Sequence, residues 1–198
     1  MRTAIFLSLS TLLAAAPLAA DLPKQAKVCA GCHGEQGQGM KNLGPRLAGL
    51  PARYLQRQVK LFRDGSRQNV TMHAMAMTIS GEPLQQVASY FAAQPVAPVT
   101  PVRRGEQVVF TDPSAKLVYQ GDWSRTLPAC ATCHGPATLG AGQIPRLAGQ
   151  QADYLKTQLL AWQQGKRKGD PDNIMGNIAN KLSGAEIDAL STYLANLK

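Results

Sequence analysis

All four cysteines of this 198-residue chain occur in two copies of the pattern C-x-x-C-H. The first copy lies in "KVCAGCHGEQG" and the second in "PACATCHGPAT", 101 residues further along the chain. On a helical turn, residues i, i+3 and i+4 share one face, so two thiols and one imidazole can address a single flat ligand. The residues concerned are Cys29, Cys32 and His33 in the first copy and Cys130, Cys133 and His134 in the second.

The pattern is typical of covalent haem attachment. The two thiols form thioether bonds to the haem edge, and the adjacent histidine supplies the proximal ligand to iron. Three other uses of the cysteines compete: two disulfides, a thioredoxin-like redox pair, and a zinc site made of all four. A zinc site leaves both histidines unexplained, and the redox pair requires a βαβ context that the helical pattern lacks. The sequence therefore favours two haem c groups.

The number and position of the histidines and methionines limit which residue can be the second axial ligand of each iron. The chain has three histidines, and two belong to the motifs, so bis-histidine ligation at both irons is impossible. Met175, the only methionine of the second copy, lies eight residues before Ser183, and the same spacing before Ser80 selects Met72. The alternatives in the first copy are His73, Met75 and Met77. Histidine–methionine ligation closes the iron and raises its potential, as in electron-transfer cytochromes.

One proline follows each motif histidine at a similar distance. Pro45 lies 12 residues after His33, and Pro145 lies 11 residues after His134. A backbone carbonyl at either position can accept a hydrogen bond from the second ring N–H and fix the orientation of the imidazole. The alternative is a proline that only ends a loop.

The motifs belong to a longer internal repeat. "CAGCHG…LGPRLAGLPARYLQRQVKLFRDGSR" aligns with "CATCHG…QIPRLAGQQADYLKTQLLAWQQGKR", and "TISGEPLQQVASYFAAQ" aligns with "KLSGAEIDALSTYLANL". Apolar residues recur at i, i+4 and i+7, which predicts a helix that stops at Gly65 or Gly165 and a final helix in each copy. Ser183 and Glu186 predict a capping box. No segment alternates convincingly as a strand would, so the predicted fold class is all-α with two tandem domains.

The predicted domains are residues 21–94 and 105–198. Residues 1–20, "MRTAIFLSLSTLLAAAPLAA", have the order of a secretory signal peptide, with an apolar run too short to span a membrane. We therefore expect export to the periplasm and cleavage of this segment. The alternative is a retained membrane anchor, which is disfavoured because no stop-transfer stretch follows. The prolines of "AAQPVAPVTPVRRGE" prevent a regular helix and predict a semi-stiff linker over residues 95–104.

The basic charge is concentrated in the first predicted domain. Residues 21–104 contain 11 Lys and Arg against 4 Asp and Glu, a net charge of +7, whereas residues 105–198 contain 9 against 8, a net charge of +1. Export excludes nucleic acid, so we expect redox protein partners with acidic docking surfaces, or anionic lipid head groups at a membrane surface. The docking surface is expected to use some of Lys24, Lys27, Lys41, Arg53, Arg57, Lys60, Arg63 and Arg67. The alternatives are that these residues only solvate helix faces, or that some of them bind haem propionates inside the protein.

The chain resembles the dihaem class I cytochromes c of the cytochrome c4 family across essentially all of the mature sequence. The resemblance is carried by the two C-x-x-C-H motifs, by "GPRLAG" and "IPRLAG", by "YLQRQ" and "YLKTQ", and by the Met-x7-Ser spacing before the last helix. It implies two helical cytochrome c domains related by a pseudo-twofold axis, with haem propionates facing each other across the interface. It also implies site roles for Cys29, Cys32, Cys130 and Cys133 as anchors, His33 and His134 as proximal ligands, Met72 and Met175 as distal ligands, and Pro45 and Pro145 as histidine-orienting prolines.

The expected function is that of a periplasmic carrier of single electrons between respiratory partners, which the resemblance directs toward a terminal oxidase. The alternative is a dihaem subunit of an oxidoreductase, such as a flavocytochrome c sulfide dehydrogenase, because both need the same haem sites. A dihaem peroxidase or a thiosulfate-oxidising cytochrome is disfavoured, since closed irons bind no substrate and no cysteine is left as an iron ligand. We therefore expect a protein that is not an enzyme and has no small-molecule substrate.

Overall fold

The computed structural model describes residues 21–100 and 109–197. The signal peptide predicted over residues 1–20 and residues 101–104 of the predicted linker lie outside these ranges. Within the described residues the regular structure is helical, with isolated β-bridges in place of strands. The all-α fold class is confirmed.

The helices fall into an N-terminal half and a C-terminal half. The N-terminal half contains α1 (Lys27–His33), α2 (Ala52–Arg63), α3 (Val70–Met77) and α4 (Gly81–Ala92). The C-terminal half contains α5 (Pro113–Tyr119), α6 (Cys130–His134), α7 (Ala152–Gln163), α8 (Ile174–Ala179) and α9 (Gly184–Ala195). No helix in these two described ranges has the length and apolar character that a bilayer crossing requires.

The helices of the two halves pack in the same way, through the apolar faces that the sequence periodicity predicts. In the N-terminal half α2 packs on α3 and α4, and in the C-terminal half α7 packs on α8 and α9. Leu55 and Phe91 are buried in the first core, and Leu155 and Ile187 are buried in the second. Burial of such side chains stabilises a fold by roughly 1.5–3 kcal/mol each. These two cores hold the helices of each half in place around its C-x-x-C-H segment.

The helix ends follow the predicted signals. Gly65 and Gly165 have φ of +80° and +65°, a left-handed conformation that favours glycine after a helix. Ser183 and Glu186 form the predicted capping box of α9. Ser80 begins α4 without a side-chain cap bond, and Pro83 occupies the third helical position there.

The loops that follow α2 and α7 pair with each other across the two halves. The N–H of Gln68 donates to the carbonyl of Lys166, and the N–H of Lys168 donates to the carbonyl of Ser66, both at 2.8 Å. The exchange is reciprocal, as a pseudo-twofold axis requires. It places Arg67 opposite Arg167 at the centre of the interface.

The described part of the linker is packed rather than free. Val99 is buried against Ala137 and Ala148 of the C-terminal half. Arg146 donates a guanidinium hydrogen bond to the carbonyl of Ala97 at 2.8 Å. The linker therefore contacts the C-terminal half at Ala97 and Val99.

Candidate haem sites

Helix α1 presents the first motif and ends at its histidine. The ring of His33 is only 6% exposed, and its Nδ1 lies 2.8 Å from the carbonyl oxygen of Pro45. Because a carbonyl can only accept, Nδ1 carries the proton and Nε2 keeps its lone pair for a metal. Cys29 and Cys32 are partly buried on the same helix and form no disulfide. The helix stops at Gly34, whose φ is +81°.

The second motif has the same geometry on α6. His134 is 7% exposed, and its Nδ1 lies 2.8 Å from the carbonyl oxygen of Pro145. Gly135, with φ of +77°, ends the helix as Gly34 does in the first half. Both prolines thus provide the hydrogen bond that was expected from their spacing.

The protonation of these groups suits a neutral imidazole ligand and disfavours thiolate chemistry. Burial lowers the pKa of His33 and His134, and the bond to the proline carbonyl offsets only part of that effect. Burial raises the pKa of Cys29 and raises that of Cys130 to about 11. A reactive redox cysteine has a lowered pKa, so these thiols do not resemble a thioredoxin pair.

The four-cysteine zinc site is not formed. Across residues 21–100 and 109–197, no three side chains of His, Cys, Asp or Glu converge on a point where they could hold a metal ion. One cysteine pair lies in each half, beside its own histidine. Each half therefore presents two thiols and one imidazole to a separate ligand.

The two predicted distal methionines lie in equivalent short helices, where a side-chain oxygen holds each backbone N–H. Met72 lies in the first turn of α3, and its N–H donates to the side chain of Asn69 at 2.8 Å. Met175 lies in the first turn of α8, and its N–H donates to the carboxylate of Asp170 at 2.5 Å. Both methionines are half-buried.

His73, the alternative to Met72, has an exposed ring that is tied to another helix. Its Nδ1 lies 2.8 Å from the carbonyl oxygen of Phe62, at the end of α2. Neighbouring helical residues project about 100° apart, so Met72 and His73 point in different directions. Met75, three residues after Met72, shares its face and is also half-buried.

Six polar side chains, which we call the interface cluster, join the halves and were not identified as site residues from the sequence. They are Tyr54, Gln58 and Arg67 from the N-terminal half and Tyr154, Gln158 and Arg167 from the C-terminal half. Arg67 donates to the hydroxyl of Tyr154 and to Gln158, both at 2.6 Å. Arg167 donates to the hydroxyl of Tyr54 at 3.0 Å. Each arginine therefore crosses into the other half.

The interface cluster has an uncompensated positive charge. Arg67 is 5% exposed and Arg167 is 9% exposed, yet neither forms a salt bridge within the described parts of the chain. Burial alone raises the pKa of Tyr154, but the two guanidinium groups lower it below its ordinary value. The buried Nε of Arg167 has no hydrogen-bond partner. Buried charges are normally paired, so this pocket fits an anion.

Haem propionates match this requirement. The charge of Arg167 also lowers the pKa of His134, so the cluster lies close to the second motif. Arg46 and Arg146 follow the two prolines. Burial lowers the pKa of Arg146, and the positive charge of Arg46 lowers it further, so the two side chains lie close together. The buried Nε of Arg46 is also unpartnered. The sequence signal for this feature was the repeated arginine of "DGSR" and "QGKR".

The prediction that Arg67 belongs to an external docking surface is wrong, because the side chain is buried between the halves. Two other candidates bind internally: Arg57 donates to the carbonyl of Gly169, and Arg63 donates to the carbonyl of Ala76 at 2.7 Å. The candidates that remain exposed are Lys24, Lys27, Lys41, Arg53 and Lys60.

Two family models match the chain, one in each half. Residues 24–91 match the model described as cytochrome c oxidase, cbb3-type, subunit III, and residues 105–198 match the model described as cytochrome c. The chain is 42% identical to a thiosulfate dehydrogenase electron acceptor of Stutzerimonas stutzeri over 87% of its own length and 80% of the relative. It is 35% identical to the cytochrome c4 of Pseudomonas aeruginosa over 96% and 94% of the two chains.

Solved structures give the same assignment. The cytochrome c4 of Pseudomonas stutzeri matches with a TM-score of 0.76 and 32% identity, over 88% of this chain and 95% of that one. The thiosulfate dehydrogenase TsdBA of Marichromatium purpuratum matches with a TM-score of 0.75 and 38% identity, over 89% of this chain but only 39% of that longer chain. The chain therefore belongs to the cytochrome c4 family of dihaem class I cytochromes c, non-catalytic electron-transfer proteins with two covalently bound haem c groups.

Proposed function

We propose that the protein carries single electrons in the periplasm from a dehydrogenase of the thiosulfate dehydrogenase kind toward a terminal oxidase. The observation that carries the proposal is the pair of equivalent histidine sites, each with a buried neutral ring and a 2.8 Å bond to a proline carbonyl. Electron acceptors of thiosulfate dehydrogenases are among its relatives, at 42% and 38% identity. The periplasmic location is supported by the signal-peptide pattern of residues 1–20.

The proposed ligand sets follow the internal repeat. Thioether bonds form at Cys29, Cys32, Cys130 and Cys133. His33 and Met72 would hold one iron, and His134 and Met175 would hold the other. When bound, haem supplies a reversible one-electron couple. The chain contributes a fixed neutral imidazole, a soft thioether, and positive charge at the interface that stabilises the reduced form.

Gly44 provides a test of the proximal geometry in the N-terminal half. A Cβ at this position would lie 2.7 Å from the carbonyl oxygen of Cys32 and 2.8 Å from Nδ1 of His33. We expect Gly44→Ala to displace the ring from Pro45 and to cost about 1–3 kcal/mol of unfolding free energy, the usual cost of overpacking. Visible spectra of the purified protein should show that one of the two haems has lost its low-spin state.

Gly31→Ala is the matched control, because nothing lies within 4 Å of a Cβ at that position of α1. It should keep the spectrum of the wild type and raise the unfolding free energy by up to about 1 kcal/mol, because alanine favours the helix more than glycine does. A wild-type spectrum for Gly44→Ala would mean that the turn moves instead of the ring, and that His33 does not depend on this contact.

The carrier function is tested by mixing the oxidised holoprotein with purified thiosulfate dehydrogenase and thiosulfate. Reduction of both haems within one rapid phase is expected, with no reduction when either the enzyme or thiosulfate is omitted. Reduction by thiosulfate alone would contradict a non-catalytic role. Co-purification of the native protein with a flavoprotein would instead identify it as a dehydrogenase subunit.

A further inference from the structure

An exposed apolar patch lies beside the first C-x-x-C-H motif. Val28, which precedes the first cysteine, is 57% exposed, and Met40 and Leu43 in the following turn are 38% and 63% exposed. The close approach of Gly44 to Cys32 holds this turn against α1. Val28 lies at the start of the motif and the turn lies against its end, so both contribute exposed apolar side chains beside α1.

Three lysines accompany the patch. Lys24, Lys27 and Lys41 are exposed, and the first two share a helical face with Gly31. The carboxylates nearest in sequence, Asp21 and Glu35, lie toward α4, where they add to the effect of burial in raising the pKa of Tyr90. We call the three lysines, with Val28, Met40 and Leu43, the lysine rim.

Among the described residues, the C-terminal half lacks the three lysines around its motif, although Ile144 in its turn is an exposed apolar side chain, at 37%. Lys27 and Val28 correspond to Pro128 and Ala129, and Ala129 is buried. The turn is one residue shorter in this half: Met40 corresponds to Ala141, and Gly142 and Gln143 take the place of residues 41–43, so the turn carries no lysine. Arg125 corresponds to Lys24, but Asp122 and Glu186 neutralise it at 2.8 and 2.7 Å. The C-terminal half therefore serves as an internal comparison that lacks the positive charge of the lysine rim.

We infer that the lysine rim is the surface on which an acidic redox protein docks, so that this partner exchanges electrons through the N-terminal half. The inference rests on the proposed carrier function and specifies the partner surface that this function uses. An apolar centre with a charged edge is the usual composition of a transient protein interface, and complementary charge accelerates encounter.

The position of the lysine rim favours a protein over a membrane as its occupant. A group bonded through Cys29 and Cys32 has an edge at α1, so a protein docked here brings its own redox centre near that edge. A lipid surface gains nothing from this proximity. Three lysines also supply little membrane affinity, at about 1 kcal/mol per basic residue near an anionic surface.

The test uses the holoprotein with reduced flavodoxin as an acidic redox probe. In a variant with Lys24→Glu, Lys27→Glu and Lys41→Glu, we expect the second-order rate of haem reduction at low salt to fall about tenfold or more. Its dependence on ionic strength should flatten, since screening acts over about 10 Å at 0.1 M salt. Carbodiimide cross-linking, which does not depend on electron transfer, should join flavodoxin to peptides that contain these lysines in the wild type.

The matched control carries Lys116→Glu, Lys156→Glu and Lys181→Glu, the same charge change on exposed residues of the C-terminal half that lie outside the loop of the interface cluster. It should keep at least half of the wild-type rate. An equal fall in both variants would overturn the inference, because net charge alone would then explain the effect. The rim would instead be a lipid-binding surface if the rim variant is reduced by flavodoxin at the wild-type rate but no longer floats with phosphatidylglycerol vesicles. If flavodoxin reduces the wild-type protein but thiosulfate dehydrogenase with thiosulfate does not, the proposed donor is overturned and the inferred docking surface still stands.

Discussion

Met175→Ala is expected to remove about half of the methionine–iron charge-transfer absorption of the oxidised protein, and Met72→Ala the other half. The haem that loses its methionine should also fall in potential by on the order of 0.1–0.2 V, within the range of about 0.8 V that axial ligands span. Thioether ligation raises the potential, so its loss lowers it. Near-infrared spectra and a redox titration of each variant measure the two effects.

Met75→Ala is the decisive control for the first site. Met72 and Met75 lie on the same face of α3 and are both half-buried, so helix geometry alone does not separate them. His73→Ala provides a second control, since its ring is bonded to the carbonyl of Phe62. Loss of the charge-transfer band on changing Met75 or His73, with the band kept in Met72→Ala, would contradict the assignment.

The helices and the histidine geometry were predictable because their signals are local. Apolar periodicity defined α2 and α7, and the glycines at 65 and 165 marked the ends of these helices through their left-handed φ. The spacing of Pro45 from His33 allowed for the hydrogen bond between them, and the resemblance to the cytochrome c4 family favoured it over a proline that only ends a loop. In each case one short segment contains all the residues that determine the structure.

The features that the sequence did not predict depend on contacts between distant segments. Asn69 holds the N–H of Met72, but Asp170 holds that of Met175 from a different relative position, so aligning the repeats does not reveal the shared role. Arginine is usually exposed, so the sequence places Arg67 among the docking candidates, with propionate binding inside the protein as the alternative. Its burial follows from the pairing of two loops about a hundred residues apart, which no local pattern encodes.

Arg67→Gln is expected to lower the reduction potentials of both haems. Removing a buried positive charge destabilises the reduced form, which carries one more electron. A unit charge at an assumed distance of about 10 Å, in a medium of effective dielectric constant about 20, is worth about 1.7 kcal/mol. That energy corresponds to about 70 mV for one electron. The shift should reach both haems, because Arg67 belongs to the N-terminal half but donates to Tyr154 and Gln158 of the other.

Arg167→Gln should give a similar shift, since its guanidinium makes the reciprocal contact with Tyr54. The matched control is Arg53→Gln, which removes the same group from the exposed surface of α2, where solvent and salt screen the charge. Potentiometric titration with separate haem spectra gives both potentials in each variant. A shift confined to the N-terminal haem in Arg67→Gln would mean that the arginine acts only within its own half. Unchanged potentials with a lowered free energy of unfolding would restrict the interface cluster to holding the two halves together.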